Sequence, residues 1–192
     1  MKLIPTDLPG VVIVEPAVFV DERGWFSESF NEPRFQAALA ALGLPAPRAF
    51  VQDNHSCSRA GVLRGLHYQL PPHAQGKLVR VVKGAAFDVA VDIRAGSPHF
   101  GRWTGVLLNA ENKRQLWVPE GFAHGFVSLE DDTHFLYKTT DVYAKDCERS
   151  IRFDDPAIGV QWPLPPGVAA ALLAAKDAAA PLLAQADLPP LR

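Results

Sequence analysis

The sequence has few cysteines and no excess of charge of either sign. Cys57 and Cys147 are too few for a disulfide framework and lack the spacing of a metal-binding pair, so we expect a reducing compartment. The 19 basic and 21 acidic residues leave a formal net charge of -2, which provides no overall attraction to nucleic acid or to an anionic membrane. An anionic ligand would have to be held by local charges.

Long apolar runs are also missing. The opening stretch MKLIPTDLPG reaches Pro5 before any apolar run long enough for a signal peptide, and no window approaches the length of a membrane span. We therefore expect a soluble cytoplasmic protein with no membrane partner. With 192 residues, 48% of them hydrophobic, residues 1–192 are expected to form a single domain around one core.

Most of the chain has the pattern of short strands. Runs such as THFLYKTT are rich in β-branched and aromatic residues and are separated by Gly, Pro, Asn or Asp. In FDVAVDIR, residues 87–94, apolar residues alternate with Asp88, Ala90, Asp92 and Arg94, which predicts one buried and one polar face. About ten such strands without interleaved helices favour a mainly β sandwich or barrel.

Two segments break the strand pattern and predict peripheral helices. EPRFQAALAALG places Phe35, Leu39 and Leu42 at helical spacing and ends at Gly43. The alanine-rich segment at about 165–185 predicts a second helix that packs on the domain.

The chain has six histidines, and the surroundings of His124 and His67 can be compared with the histidine motifs of cupin barrels. Pro119, Gly121 and His124 form P-x-G-x-x-H, which matches the second motif of cupin barrels. The histidine pair of a metal-binding cupin is absent, because the histidine after His67 is His73, six positions on. A metal site normally needs about three suitable protein ligands. We therefore expect no metal, which leaves His67 free to act as a base.

Seven stretches carry a specific resemblance. They are DERGWFSESF, QDNHS, GVLRGLHYQ, QGKLVRVVKGAAFDVAVDIR, ENKRQLWVPEGFAHGF, FLYKTTDVY and IRFDDPAIGVQWP. From about residue 5 to about residue 180 the chain resembles the dTDP-4-dehydrorhamnose 3,5-epimerase family. The resemblance implies a cupin jelly-roll homodimer that needs no cofactor. It also implies epimerisation of a dTDP-4-keto-6-deoxyhexose in dTDP-L-rhamnose and polysaccharide biosynthesis.

The implied reaction needs a base, an acid and a group that stabilises an enolate. The ketone at carbon 4 acidifies the hydrogens on carbons 3 and 5, so each inversion removes a proton from one face and returns one to the other. The resemblance assigns His67 as the base, Asp177 as its carboxylate partner and Lys77 as the cation at the ketone oxygen. The resemblance assigns Tyr137 as the acid, with Tyr143 as its rival, and the sequence does not decide between them.

The other matches would bind substrate. Arg23 and Arg64 suit the diphosphate, because a planar guanidinium can bind two phosphate oxygens. His124 could donate a second hydrogen bond to the ketone. Further contacts are expected from Glu28, Gln52, Asp53, Asn54, Tyr143, Glu148 and Lys176.

Three alternatives remain open. An epimerase of a single carbon, or a 3,4-ketoisomerase, would act on the same class of sugar nucleotide. A metal-dependent cupin, such as a dioxygenase or sugar isomerase, would use His124 with His67 or His73 as ligands. A binding protein would use the arginines without moving a proton. The presence of His67, Lys77 and both tyrosines favours the double epimerase.

Overall fold

The computed structural model describes residues 1–191 and is dominated by antiparallel strands. The strands are β1 (Lys2–Pro5), β2 (Val12–Glu15), β3 (Val18–Asp21), β4 (Gly24–Ser27), β5 (Gln52–Ser58), β6 (Leu63–Gln69), β7 (Lys77–Lys83), β8 (Ala85–Asp92), β9 (Trp103–Asn109), β10 (Gln115–Val118), β11 (Phe122–Ser128), β12 (Thr133–Thr139) and β13 (Glu148–Ser150). The helices are α1 (Glu32–Ala41) and α2 (Ala175–Ala178), and single 3-10 turns lie at Lys145–Cys147 and Leu183–Gln185.

Two sheets face each other and form the body of the molecule. The six-stranded sheet has the order β1-β2-β10-β7-β12-β5, and the five-stranded sheet has the order β13-β6-β11-β8-β9. The core between them includes Val79, Leu116 and Phe135 from one sheet and Ala90 and Phe126 from the other. The predicted mainly β, cupin-type sandwich is confirmed.

Both outer faces of the sandwich are also covered. Helix α1 places Phe35 and Leu39 on the six-stranded sheet, where they form a buried cluster with Leu78 and Trp117. The segment that follows β13 covers the five-stranded sheet in the same way, and its Leu183 is buried there. Central strands are therefore enclosed on both sides.

This double coverage corrects the prediction for β8. The alternation is present, because Val89 belongs to the outer cluster and Ala90 to the cluster between the sheets. The prediction of only one buried face was wrong, since Asp88 and Asp92 are both 0% exposed. The polar face of β8 is buried because the second sheet lies over it, and Asp88 faces the space between the sheets.

Helix α1 agrees with its sequence pattern. Asn31 caps its N-terminus, where the side-chain oxygen accepts a hydrogen bond from the backbone N–H of Arg34 at 3.2 Å. Phe35 and Leu39 are the buried residues of the predicted stripe. Gly43, which has a φ of +71°, follows the helix in a left-handed conformation that glycine adopts without strain.

The second helix is much shorter than predicted. Of the segment at about 165–185, only Ala175–Ala178 is α-helical. Leu172 forms an isolated β-bridge with Val62, so this part of the alanine-rich segment is held in an extended conformation and the helix begins only at Ala175. The segment bonds to the sandwich instead, and the Leu63 N–H donates to the Leu172 carbonyl at 3.0 Å.

The remaining two strands, β3 and β4, form a separate hairpin. Its turn is the stretch DERG, in which the Asp21 carboxylate accepts hydrogen bonds from the backbone and guanidinium of Arg23. The hairpin exposes five large apolar side chains at 39–77% of their surface, namely Val18, Phe19, Val20, Trp25 and Phe26. Within residues 1–191, no helix has the length and apolar character needed to cross a membrane.

Candidate active site

A polar pocket of about 130 Å³ is lined by seven of the fourteen predicted site residues. Both sheets contribute to it. Its lining comprises Gln52, Asn54, Lys77, Tyr137, His67, Tyr68, Gln69, Glu148, Gln75 and Tyr143. A larger groove of about 470 Å³ lies against Trp117 and several prolines. That groove contains none of the predicted site residues, so the smaller pocket is the candidate active site.

A bulge in β6 helps to form the pocket. His67 pairs with His124 of β11, but Arg64 pairs with Phe126, so β6 has one more residue than β11 between these two pairs. Such a bulge reverses the usual alternation of side chains along a strand. The glycine at position 65 is required, because a Cβ there would lie 2.5 Å from the Cα of Gly125.

His67 and Asp177 form a hydrogen-bonded pair. His67 Nε2 lies 2.6 Å from Asp177 Oδ1, and the carboxylate is 2% exposed whereas the imidazole is 25% exposed. Burial raises the pKa of Asp177, but the hydrogen bond and the charge of His67 outweigh it, so the pKa lies below its usual value. The carboxylate therefore stays ionised and holds the proton on Nε2, which leaves Nδ1 as the basic nitrogen.

A second pair of the same kind lies beside the first. His124 Nε2 is 2.8 Å from Asp88 Oδ1, and both side chains are almost fully buried. Burial lowers the pKa of His124 and raises the pKa of Asp88. The two shifts favour a neutral His124 imidazole beside a neutral Asp88 carboxyl group. The carboxylate of Asp177, beside His67, is instead ionised.

Lys77 is an inward-facing cation at the start of β7. It is 9% exposed, and its Nζ donates to the His67 carbonyl at 3.4 Å. Burial lowers its pKa to about 8, although the charges of Asp88 and Glu148 act in the opposite direction. The ammonium thus remains protonated at neutral pH and lies in the pocket with its hydrogen-bonding capacity mostly unused.

Tyr137 faces the same pocket from the opposite sheet. It lies on β12 opposite Asn54, and burial is the main cause that raises its pKa. The positive charge of Arg64 opposes that rise in pKa. The hydroxyl of Tyr137 has no hydrogen-bond partner among residues 1–191, so its proton is available to a ligand.

Tyr143 is placed differently from Tyr137. Strand β12 ends at Thr139, so Tyr143 lies in the following loop and is 54% exposed. Its hydroxyl donates to Glu148 Oε2 at 3.1 Å, and this hydrogen bond raises its pKa. The other oxygen of Glu148 binds Lys176 at 2.8 Å. These contacts favour Tyr137 as the acid and place Tyr143 at the pocket mouth.

Six predicted binding residues are absent from the lining of this pocket, namely Arg23, Glu28, Asp53, Arg64, His124 and Lys176. Asp53 neighbours Asn54 on β5 but points to the outer face, where it pairs with Lys138 at 2.9 Å. Arg23 lies on the β3–β4 hairpin with its side chain 84% exposed. Glu28 follows that hairpin and pairs with Arg34 at 3.1 Å. Their roles in binding stay predictions.

Two residues with clear roles in the pocket were missed from the sequence. Asp88 was assigned to a polar strand face, and its only signal was a carboxylate in the middle of an apolar strand. Gln69 lies within the stretch GVLRGLHYQ, but no feature of the sequence indicated a role for it. Its amide donates to the Val142 carbonyl at 3.2 Å and accepts from the Ala144 N–H at 2.9 Å, so it fixes the loop on both sides of Tyr143.

The histidines do not form the ligand set that a metal-dependent cupin would need. His73 hydrogen-bonds to Asp141 at 3.3 Å and is not part of the pocket lining. In the described chain, the ligating atoms of His67, His73 and His124 are not grouped within 4.8 Å of one another. This arrangement does not support that alternative.

Comparison with known proteins gives one consistent result. A family model described as dTDP-4-dehydrorhamnose 3,5-epimerase matches residues 5–185. The chain is 58% identical to a dTDP-4-dehydrorhamnose 3,5-epimerase from Shigella flexneri over 164 residues, which cover 85% of this chain and 88% of that protein. It is 56% identical to the protein of the same name from Salmonella typhimurium over 191 residues, 98% of each chain.

A solved structure is similar over the whole fold. The dTDP-6-deoxy-D-glucose-3,5-epimerase from Legionella pneumophila, in complex with dTDP-4-keto-L-rhamnose, superposes with a TM-score of 0.91 at 49% identity. The match covers 100% of this chain and 98% of that one.

Proposed function

The chain belongs to the dTDP-4-dehydrorhamnose 3,5-epimerase family, and we propose that it converts dTDP-4-dehydro-6-deoxy-D-glucose to dTDP-4-dehydro-L-rhamnose. One observation carries the mechanism. His67 and Tyr137 line one pocket but come from opposite sheets. A base and an acid on opposite sides of a sugar are what inversion of a carbon centre requires.

Each inversion proceeds in two proton transfers. His67 Nδ1 takes the proton from the carbon next to the ketone, and the electron pair of that C–H bond moves to the ketone oxygen. Lys77 stabilises the resulting enolate as a fixed positive charge that matters most when negative charge develops. Tyr137 then donates its proton to the opposite face of the carbon. The proton on His67 and the deficit on Tyr137 are restored by exchange with water.

Asp177 supports the base in two ways. Its carboxylate lies 2.6 Å from His67 Nε2, which orients the imidazole and fixes the proton on that nitrogen. Because its pKa is lowered, it remains negative at neutral pH and stabilises the imidazolium that forms during the reaction. On the neighbouring strand, the neutral Asp88 carboxyl donates to His124 Nε2, so the ring proton of His124 lies on Nδ1, from which it can donate a second hydrogen bond to the ketone oxygen.

The nucleotide end is proposed to bind at the pocket mouth. Arg64 is exposed and is held by a hydrogen bond from its Nε to Ser58 at 3.2 Å, which leaves the terminal nitrogens free for the diphosphate. Further polar contacts come from Gln52, Asn54, Tyr143, Glu148 and Lys176.

Isotope exchange tests the reaction directly. The 4-keto sugar nucleotide is incubated with the protein in heavy water and followed by proton NMR. We expect deuterium at both carbon 3 and carbon 5, and a His67→Ala variant should lose about 100- to 10,000-fold in rate, the usual contribution of a general base. Deuterium at one carbon only would refute double epimerisation and favour the single-carbon alternative. Binding of the sugar nucleotide without exchange would instead indicate a binding protein.

We further propose that the protein is a homodimer. The β3–β4 hairpin exposes an apolar surface that a second copy would bury, and it carries Arg23 away from its own pocket. If the hairpin contacts a partner, Arg23 and the adjacent Glu28 can reach the partner's pocket, which would explain why two predicted binding residues lie outside this one.

Mixed dimers test this assignment. Arg23→Ala and His67→Ala variants should each be impaired, but a mixture allowed to exchange subunits should recover activity, because one site then has both residues intact. Light scattering should give twice the chain mass of 20.9 kDa. A monomer, or a mixture without recovery, would contradict the proposal.

The two unpaired cysteines are compatible with the cytoplasm, where we propose that the protein acts.

A further inference from the structure

A group of metal-ligating side chains lies on the outer face of the six-stranded sheet. Cys57 of edge strand β5 pairs in register with His134 of β12, and the turn before β12 brings Asp132 next to both. Asp132 Oδ1 lies 3.1 Å from Cys57 Sγ and 3.2 Å from His134 Nε2. We propose that Cys57, Asp132 and His134 bind one zinc ion, separate from the active site.

Two of the three separations between these atoms are close to those around a tetrahedral ion, and the third, between Cys57 and His134, is below 4.8 Å. Zinc binds sulfur at about 2.3 Å and nitrogen or oxygen at about 2.0 Å, so neighbouring ligand atoms lie about 3.3 to 3.5 Å apart. The two observed separations are 3.1 and 3.2 Å, so a widening of a few tenths of an ångström would admit the ion. One thiolate, one imidazole and one carboxylate form a donor set that suits zinc better than magnesium or calcium.

His55 supports the proposed site from behind. Its Nε2 lies 2.9 Å from His134 Nδ1, on the side of the ring that faces away from Asp132. With the His134 proton on Nδ1 and donated to His55, Nε2 is free to bind the metal. Histidine ligands commonly have such a partner, whose loss weakens metal binding about 10- to 100-fold.

The remaining contacts of the group are compatible with binding. Lys83 Nζ occupies Asp132 Oδ2, which leaves Oδ1 as the single metal-binding oxygen. Asp132 has a φ of +55°, a conformation uncommon outside glycine, and it directs the carboxylate over the strand pair. Binding would release the thiol proton of Cys57 to solvent, so affinity should rise with pH. The ion would join an edge strand to its neighbour and to the preceding turn.

Cobalt binding gives a spectroscopic test that does not depend on activity. Tag-free protein is titrated with Co²⁺, which replaces zinc in such sites, and the ultraviolet band of a cobalt–thiolate bond is recorded. We expect one equivalent to bind with this band. It should disappear in Cys57→Ser and persist in Cys147→Ser, the matched control at the other cysteine. His55→Ala should retain the band at about 10- to 100-fold weaker affinity.

Zinc titration with calorimetry and thermal unfolding completes the test. Zinc should raise the unfolding temperature of the intact chain by several degrees and have no effect on that of Cys57→Ser. Absence of binding, or binding that Cys57→Ser leaves unchanged, would overturn the proposal. Chelation should leave the epimerase rate unchanged, because His67 and Lys77 lie in a pocket that does not include these ligands. Loss of activity on chelation would indicate a catalytic metal and would contradict a metal site separate from the active site.

Discussion

Replacement of Lys77 by methionine should make the protein more stable and nearly inactive. The pKa of Lys77 is about 8 in the folded chain and 10.5 when exposed. At roughly 1.4 kcal/mol per pKa unit, burial of the ammonium costs about 3 kcal/mol at pH 7. Methionine has a similar length and no charge, but it also removes a cation near Asp88 and Glu148. We therefore expect a gain of about 1 to 3 kcal/mol in the free energy of unfolding.

The pH dependence distinguishes this cause from a general packing effect. Because the folded pKa is below the unfolded value, the unfolded chain binds more protons between about pH 8 and pH 10.5, and the penalty from Lys77 shrinks as the pH rises through that window. By pH 9.5 the advantage of the methionine variant should fall to about 1 kcal/mol or less.

Thermal unfolding at pH 7 and pH 9.5 measures both quantities. A gain of 1 kcal/mol corresponds to roughly 2–4 °C for a chain of this size. Lys145→Met, at an exposed lysine, is the control and should change little. The kcat of Lys77→Met should fall by about 100- to 1,000-fold, the usual cost of removing one group that stabilises a developing oxyanion. A less stable variant, a gain independent of pH, or retained activity would refute the reasoning.

Three further variants separate the roles in the pocket. Asp177→Asn should lower kcat by roughly 100- to 10,000-fold in an epimerisation assay without weakening dTDP binding. Because the pKa of Asp177 is lowered, its ionised form stabilises the folded chain at neutral pH, and this stabilisation is lost on acidification. A variant whose stability at acid pH depends on pH as in the original chain would contradict the pairing. Tyr137→Phe should slow product formation about 100-fold or more, while His67 continues to exchange the substrate's carbon-bound hydrogens with solvent. Tyr143→Phe should have a smaller effect on product formation. A larger effect of Tyr143→Phe, measured by NMR, would exchange the roles of the two tyrosines. Arg64→Ala should weaken dTDP binding about 10- to 100-fold by calorimetry, the value of a charge-assisted hydrogen bond; an unchanged affinity would exclude the guanidinium from the diphosphate site.

Strand pattern was sufficient to predict the sandwich and the inward direction of several side chains. The alternation in β8 correctly separated Val89 from Asp88. It did not indicate that both faces would be buried, because coverage of a sheet depends on which distant segments pack on it. Here the cover comes from the irregular C-terminal segment, in which only a single turn of the predicted helix forms and Leu172 is bridged to Val62.

Contacts between distant residues explain what the sequence could not provide. Asp177 is 110 residues from His67 and reaches it only because the C-terminal segment packs against β6. The direction of Arg64 depends on a bulge, and a pattern of period two cannot show where a strand gains a residue. The Cys57 and His134 contact depends in the same way on the register between β5 and β12.

The electrostatic difference between the two histidine–aspartate pairs is our reason for proposing His67, and not His124, as the base. A base must become positively charged during the reaction, and the ionised Asp177 stabilises that charge beside a ring that is 25% exposed to the pocket and to water. His124 is 8% exposed, and burial lowers its pKa while it raises that of Asp88, so the charged form of this pair is disfavoured. A neutral His124 can still donate a hydrogen bond. We therefore propose that the same pair of residue types accepts a proton on one strand and polarises the ketone on the next, because the depth of burial differs.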